Sequence, residues 1–189
     1  MGLFDKLINQ IEDTIDDAAK KIVTNKTETF TFADMPETLE AFKALPEASK
    51  DSEYKTAALT VVALCMCAAD MDLGVSMMNF LKEPGEGLST PDIKFIEERL
   101  AGKKYVPVSY IEGTTPENNY TPAKPYVIKV SSNAHSYDED DYAQLWITSS
   151  GADNPRPLKL RKTKSGTWAL WSQQLLPDIR KPAGNDPWA

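Results

Sequence analysis

The spacing of apolar side chains changes once along the chain. Phe4, Ile8, Ile11, Ile15, Ala18 and Ile22 are separated by 4, 3, 4, 3 and 4 residues, with polar and charged residues between them, so residues 1–24 read as an amphipathic N-terminal helix with one apolar stripe. A stripe recurring every 3.5 residues is also the period of a coiled-coil seam. Residues 25–32 are rich in Thr and alternate, and read as a short strand or an extended linker. Four helices follow between Asp34 and Ala101. The first has Asp34 and Glu37 at capping-box spacing, then Leu39, Phe42 and Leu45, and stops at Pro46. The second starts near Asp51 or Ser52 and runs to Ala69, apolar almost all round, so it is expected at the centre of the core. The third is expected to be capped by Asp72 and to pass through Val75, Met78 and Leu81 to Pro84-Gly85. Thr90-Pro91 opens the fourth, which Gly102 closes.

Beyond Gly102 the texture becomes β-branched and aromatic, broken by Pro, Gly, Ser and Asn. The strands expected there are Tyr105 to Ile111, Tyr126 to Ser131, Tyr142 to Ser149, Leu158 to Lys162 and Thr167 to Ser172. Residues 113–125 form a long loop, and residues 173–189 an extended tail packed across the domain. The class is therefore α+β: an N-terminal helical half packed on a C-terminal antiparallel sheet or small barrel. Residues 25–189 are read as one domain, with helices over 34–101 and strands over 105–172.

Composition narrows the setting. Of 189 residues, 41% are apolar, enough for a real core rather than a disordered chain. The longest apolar run, Ala57 to Ala69, is too short to span a bilayer. A charge arrives at Asp5, which interrupts any secretory h-region, so a cytoplasmic protein is expected. Cys65 and Cys67 lie two apart on a helix and point to different sides, as small buried hydrophobes do in a reducing compartment. The net charge of -7 is uneven. Residues 1–101 hold ten Lys/Arg against nineteen Asp/Glu, and residues 102–189 hold eleven against nine. An acidic body with one basic ribbon argues against nucleic-acid binding and fits internal charge complementarity.

Candidate chemistry is sparse. His135 is the sole histidine, which leaves zinc without a second imidazole. The run Ser136 to Tyr142 is densely acidic, but in EF-hand register it has Ala143 where Gly is required and Ser149 where Glu is required, so it reads as a solvated hairpin turn. No glycine-rich phosphate loop, nucleophile elbow or zincin pattern occurs, and no cofactor is implied. The most distinctive stretch is residues 151–171. In Leu158 to Lys162 the apolar and basic residues alternate, which puts Lys159 and Arg161 on one face. With Trp168 or Trp171, whichever points outward, they form a candidate site for an anionic or planar ligand, set against the plainer reading of an ordinary half-buried strand.

The succession Tyr120-Thr121-Pro122, Pro125-Tyr126, Ser136-Tyr137-Asp138, Gly151-Ala152-Asp153, Pro155-Arg156-Pro157, Leu160-Arg161, Leu175-Leu176, Ile179-Arg180 and Asp186-Pro187-Trp188 resembles an uncharacterised bacterial family known as a domain of unknown function. Similarity extends to Asn79-Phe80-Leu81 and Tyr105-Val106-Pro107. The resemblance implies one bacterial cytosolic domain and carries no activity, ligand or catalytic residue.

Three functions follow as expectations. The first is a noncatalytic binding or protein-interaction module that self-associates or docks a partner through Phe4, Ile8, Ile11 and Ile15. Docking of that stripe on the chain's own body competes with it, and binding to a membrane surface is opposed by five acids against three lysines in residues 1–22. The second is binding of a small anionic or phosphorylated ligand by Lys159, Arg161 and a tryptophan. The third is an enzyme with an unrecognised site, which calls for a deep pocket gathering polar side chains.

Overall fold

The computed structural model describes residues 25–185. Its elements are β1 (Thr27–Phe32), α1 (Leu39–Lys43), α2 (Glu53–Ala69), α3 (Met71–Leu81), α4 (Thr90–Leu100), α5 (Tyr105–Val108), β2 (Tyr126–Ser131), β3 (Tyr142–Ile147), β4 (Arg156–Lys162) and β5 (Trp168–Gln173). The strands form one antiparallel sheet in the order β1-β2-β3-β4-β5, open at β1 and β5. The α+β class is as the sequence reads, with the sheet as an open meander rather than a small barrel. All the described α-helices are inserted between two strands that pair along six residues, from Thr27↔Ser131 to Phe32↔Tyr126.

The centre of the core is α2. Ser52 caps it, its Oγ accepting from the Tyr54 amide at 3.2 Å, and Glu53 occupies the first turn beside the helix N-terminus. From Tyr54 to Ala68 every residue but Lys55 is buried. Such a helix has no solvent face, so it holds its place by packing on both sides: α3 and α5 against part of its surface, the sheet against the rest. Each fully buried Leu or Val, such as Leu59, Val61 and Leu64, contributes roughly 1.5–3 kcal/mol. The sheet answers with Phe30, Ile128, Val130, Leu145, Ile147, Leu158, Leu160 and Leu170, alternate residues that turn toward the helices.

Helix starts differ slightly from the sequence reading. Thr38, not Asp34, caps α1, accepting from the Ala41 amide at 3.1 Å. Asp70 rather than Asp72 caps α3, its Oδ1 accepting from the Leu73 amide at 3.1 Å, so one residue ends α2 and begins the next helix. Ser89 and Asp92 make a reciprocal capping box that opens α4, with Pro91 in its first turn.

One expected strand is absent. Residues 105–111 are a helical turn, α5, prolonged by bonds from Ser109 N to the Tyr105 carbonyl at 3.1 Å and from Ile111 N to the Val108 carbonyl at 3.0 Å. Val106, Pro107, Ser109, Tyr110 and Ile111 are buried there, more than the one face that a half-buried strand would cover. Pro107 has no amide to offer a strand partner, and the first turn of a helix does not ask for one.

Residues 174–182 run across the sheet ends without helix or strand, and Ala183–Asn185 form a 3-10 turn. The Tyr110 hydroxyl donates to the Leu175 carbonyl at 2.7 Å, Lys103 pairs with Asp178 at 2.5 Å, and the Arg180 amide donates to the Gly151 carbonyl at 3.0 Å. Within this segment Leu175 and Leu176 are buried. Trp188 lies outside the described residues. No described helix is long and apolar enough to cross a membrane.

Candidate recognition surface

Alternation along β3 and β4 exposes a face on which Tyr142 stands opposite Arg161 and Gln144 opposite Lys159. The Lys159 Nζ lies 4.3 Å from the centre of the Tyr142 ring, and the Arg161 guanidinium carbon lies 5.5 Å from it on the same patch. Trp171 completes the group. Its ring meets that of Tyr142 edge-on, with centroids 5.6 Å apart and planes at 81°, and Arg161 sits 5.3 Å from its centre. Each such cation and ring contact is worth about 0.5–1 kcal/mol at an exposed site.

The position of Trp171 comes from a bulge. Lys159 pairs with Ser172 and Leu160 with Leu170, which leaves Trp171 without an opposite residue on β4. An extra residue in one strand bends it and re-aims its side chain. Trp171 is therefore 44% exposed, beside Phe95 of α4 at 45%, the two large hydrophobics that the described surface leaves open. Both line a cleft of about 180 Å³ with Met78, Leu88 and Leu170. The Lys82 ammonium donates to the Trp171 carbonyl at 3.2 Å and holds β5 against the helical layer there.

Charges on this face are unequal. Glu139 pairs with Lys159 and neutralises it. Among the described residues Arg161 has no carboxylate at ion-pair distance; its neighbours are the two rings. Trp168 is not part of the patch. It packs on the core, its amide donating to the Lys50 carbonyl at 2.8 Å and its carbonyl accepting from the Thr56 hydroxyl at 2.9 Å. Lys159, Arg161 and Trp171 thus come together, Trp168 serves the seam between sheet and helices, and Phe4, Ile8, Ile11 and Ile15 lie outside the described residues. Tyr142 and Phe95 escape the sequence reading. Phe95 carried a signal, a large apolar side chain just off the Ile96 and Leu100 stripe that α4 buries.

The remaining candidates have structural explanations. His135 is exposed and its Nδ1 lies 2.9 Å from the Asp138 carboxylate, within the turn expected there. Tyr137 leaves that turn inward to donate to Glu53 at 2.6 Å, and burial, then this hydrogen bond, holds its phenol well above the usual range. Among the described residues no group of three or more His, Cys, Asp and Glu is placed to hold a metal ion. Burial pushes the Cys65 and Cys67 thiols up to about 12, which leaves them protonated at neutral pH.

An α+β domain with an open meander sheet, a buried central helix and an aromatic-cationic outer face is the class that fold and surface define. The chain belongs to the DUF6935 family, described as a domain of unknown function, whose model matches residues 34–183. No curated protein and no solved structure matches the chain. The matched region begins after β1, although β1 is hydrogen-bonded into the sheet along its whole length.

Proposed function

We propose that this chain is a noncatalytic protein-interaction module that binds an acidic polypeptide segment through Tyr142, Arg161, Trp171 and Phe95. The observation that carries the reading is Arg161, a guanidinium with no carboxylate partner among the described residues, packed beside the Tyr142 ring and the Trp171 ring, the second of which lines a cleft of mixed polar and apolar side chains. Guanidinium groups pair with carboxylates through planar two-pronged hydrogen bonds, and Arg, Tyr and Trp are the residue types that anchor interfaces. Cleft size decides between a peptide and a free small molecule. At about 180 Å³ it falls below the 300–1,000 Å³ of pockets that enclose a whole ligand, and suits one apolar side chain delivered by a chain lying over the sheet. The setting we propose is the cytoplasm, where two unpaired thiols in one helix are at home.

Binding of a small anionic or phosphorylated ligand at the same face is the weaker reading, because Glu139 already satisfies one of the two cations. The test is fluorescence anisotropy with short labelled peptides in which Glu alternates with Leu or Phe, a Lys-for-Glu panel, and inorganic phosphate as competitor. Saturable binding of the acidic panel alone, weakened about tenfold by Arg161→Ala and by Trp171→Ala, supports the module. Failure of every acidic peptide to bind overturns it. Binding of phosphate that Arg161→Ala removes, without peptide binding, replaces it with the anion reading.

A further inference from the structure

A second, larger depression lies at the opposite end of β1 from its first residue. Met35, Cys65, Met66, Val108 and Ile111 form its apolar floor, Asp34, Glu37 and Lys124 stand at its rim, and its volume is about 560 Å³. The floor takes its side chains from the segment after β1, the last turns of α2 and the helical turn of residues 105–111, and none of the residues at the aromatic-cationic face contributes.

The run of the chain says what covers it. β1 travels alongside α2: the Lys26 ammonium lies 5.2 Å from the Tyr54 ring at the first turn of α2, and Met35, past the other end of β1, lines the groove with Cys65 and Met66. Residues 1–24 therefore join the domain at the start of α2, one helix length from the groove. From Tyr54 to Met66 the rise is about 18 Å at ~1.5 Å per residue. A helix over the stripe that ran back from Ile22 alongside α2 would cover that distance by Gln10, bringing Ile8 and Ile11 to the groove and Phe4 one to two turns beyond. The chain before Lys26 is thus long enough for the stripe that needs an apolar partner to reach the groove.

We propose that the apolar stripe of residues 1–22 docks in this groove of its own chain, with Phe4, Ile8 and Ile11 against Met35, Met66, Val108 and Ile111. The groove is then self-occupied, and the stripe is spent within one molecule rather than on a second copy. The surface at Arg161 and Trp171 is untouched by this proposal, so either can fail alone.

The test is paramagnetic broadening in the full-length chain. A nitroxide is attached to Lys6→Cys, and the chain without that substitution, treated with the same reagent, controls for label on Cys65, which lines the groove. The expected result is loss of most of the methyl signal of Met35, Met66, Val108 and Ile111, with Leu158 and Leu160 methyls retained, and recovery when Phe4→Asp and Ile8→Asp are added. Unchanged groove methyls in the labelled chain overturn the proposal. So does broadening that appears only when spin-labelled chain is mixed with separately isotope-labelled chain, because that outcome assigns the groove to a second copy.

Discussion

Gly151 lies so close to Tyr120 that a β-carbon added to it would stand 2.2 Å from the phenolic oxygen and 3.0 Å from Cδ1 of Ile179. The phenol cannot swing aside without loss, because its hydroxyl donates to the Arg180 carbonyl at 2.6 Å while the Arg180 amide returns a bond to the Gly151 carbonyl at 3.0 Å. Gly151→Ala is therefore expected to cost about 1–3 kcal/mol, the usual range for overpacking, read as a lower urea midpoint. Tyr120→Phe, which removes only the hydrogen bond, is expected to cost about 1 kcal/mol. An unchanged midpoint in Gly151→Ala would mean that the tail is not held at this point.

A tighter approach occurs where α3 crosses α2. A β-carbon on Gly74 would meet the Cys67 amide nitrogen at 2.2 Å and its α-carbon at 2.4 Å. Backbone in the central helix has no rotamer with which to yield, so the helices must separate. Gly74→Ala is expected to cost more than the Gly151 substitution, at the upper end of about 1–3 kcal/mol or beyond it, although Ala is the better helix former by about 1 kcal/mol. Thermal melts of the two variants side by side check the order.

Much of the fold was legible because its elements obey local rules. Ser52 and the unbroken apolar run behind it announce α2, and the alternation in Tyr126 to Ser131 matches β2 residue for residue. Residues 105–111 were misread because Val106, Val108 and Tyr110 alternate as a strand would, while the choice of a helical turn is made by packing against α2. The candidate site was half legible. Alternation places Lys159 and Arg161 on one face, but that Tyr142 stands opposite Arg161 depends on the register of two strands joined by a loop over 148–155, eight residues, and register is a tertiary property. The bulge that frees Trp171 is likewise absent from the alternation of Trp168 to Ser172. Several residues that carry the family resemblance, Tyr120, Gly151, Asp153, Arg156, Leu175 and Arg180, are drawn together in the strap that holds the tail.

Two tryptophans three residues apart should behave in opposite ways. Trp168 packs against the core and its backbone joins Lys50 and Thr56, whereas Trp171 is 44% exposed on the outer face. Trp168→Ala is expected to lower stability by about 2 kcal/mol, roughly half the cost of a fully buried aromatic, with no direct effect on the outer surface. Trp171→Ala is expected to move the urea midpoint little and to weaken acidic-peptide binding about tenfold. A reversal of these two profiles would exchange the roles assigned here.

Alkaline pH supplies the last expectation. In the unfolded chain a thiol ionises near its ordinary value of 9.0; in the fold, burial pushes both Cys65 and Cys67 up to about 12, with the neighbouring Cys67 adding to the shift of Cys65. Between these values the unfolded state has released protons that the folded state keeps, so it binds fewer, and stability must fall as pH rises. The contribution is complete below pH 9 and is lost by about pH 12, with a slope approaching about 1.4 kcal/mol per pH unit for each thiol. Burial raises the Tyr110 and Tyr137 phenols as well, which steepens the upper end of the same window. Urea midpoints measured across this range should decline, and the double substitution Cys65→Ala with Cys67→Ala should flatten the early part of the decline while lowering the neutral-pH plateau through the cavities it leaves. A midpoint that stays level from pH 9 upward in the unmodified chain would show that the thiols are open to solvent in the fold, and with them the floor of the groove that Cys65 lines.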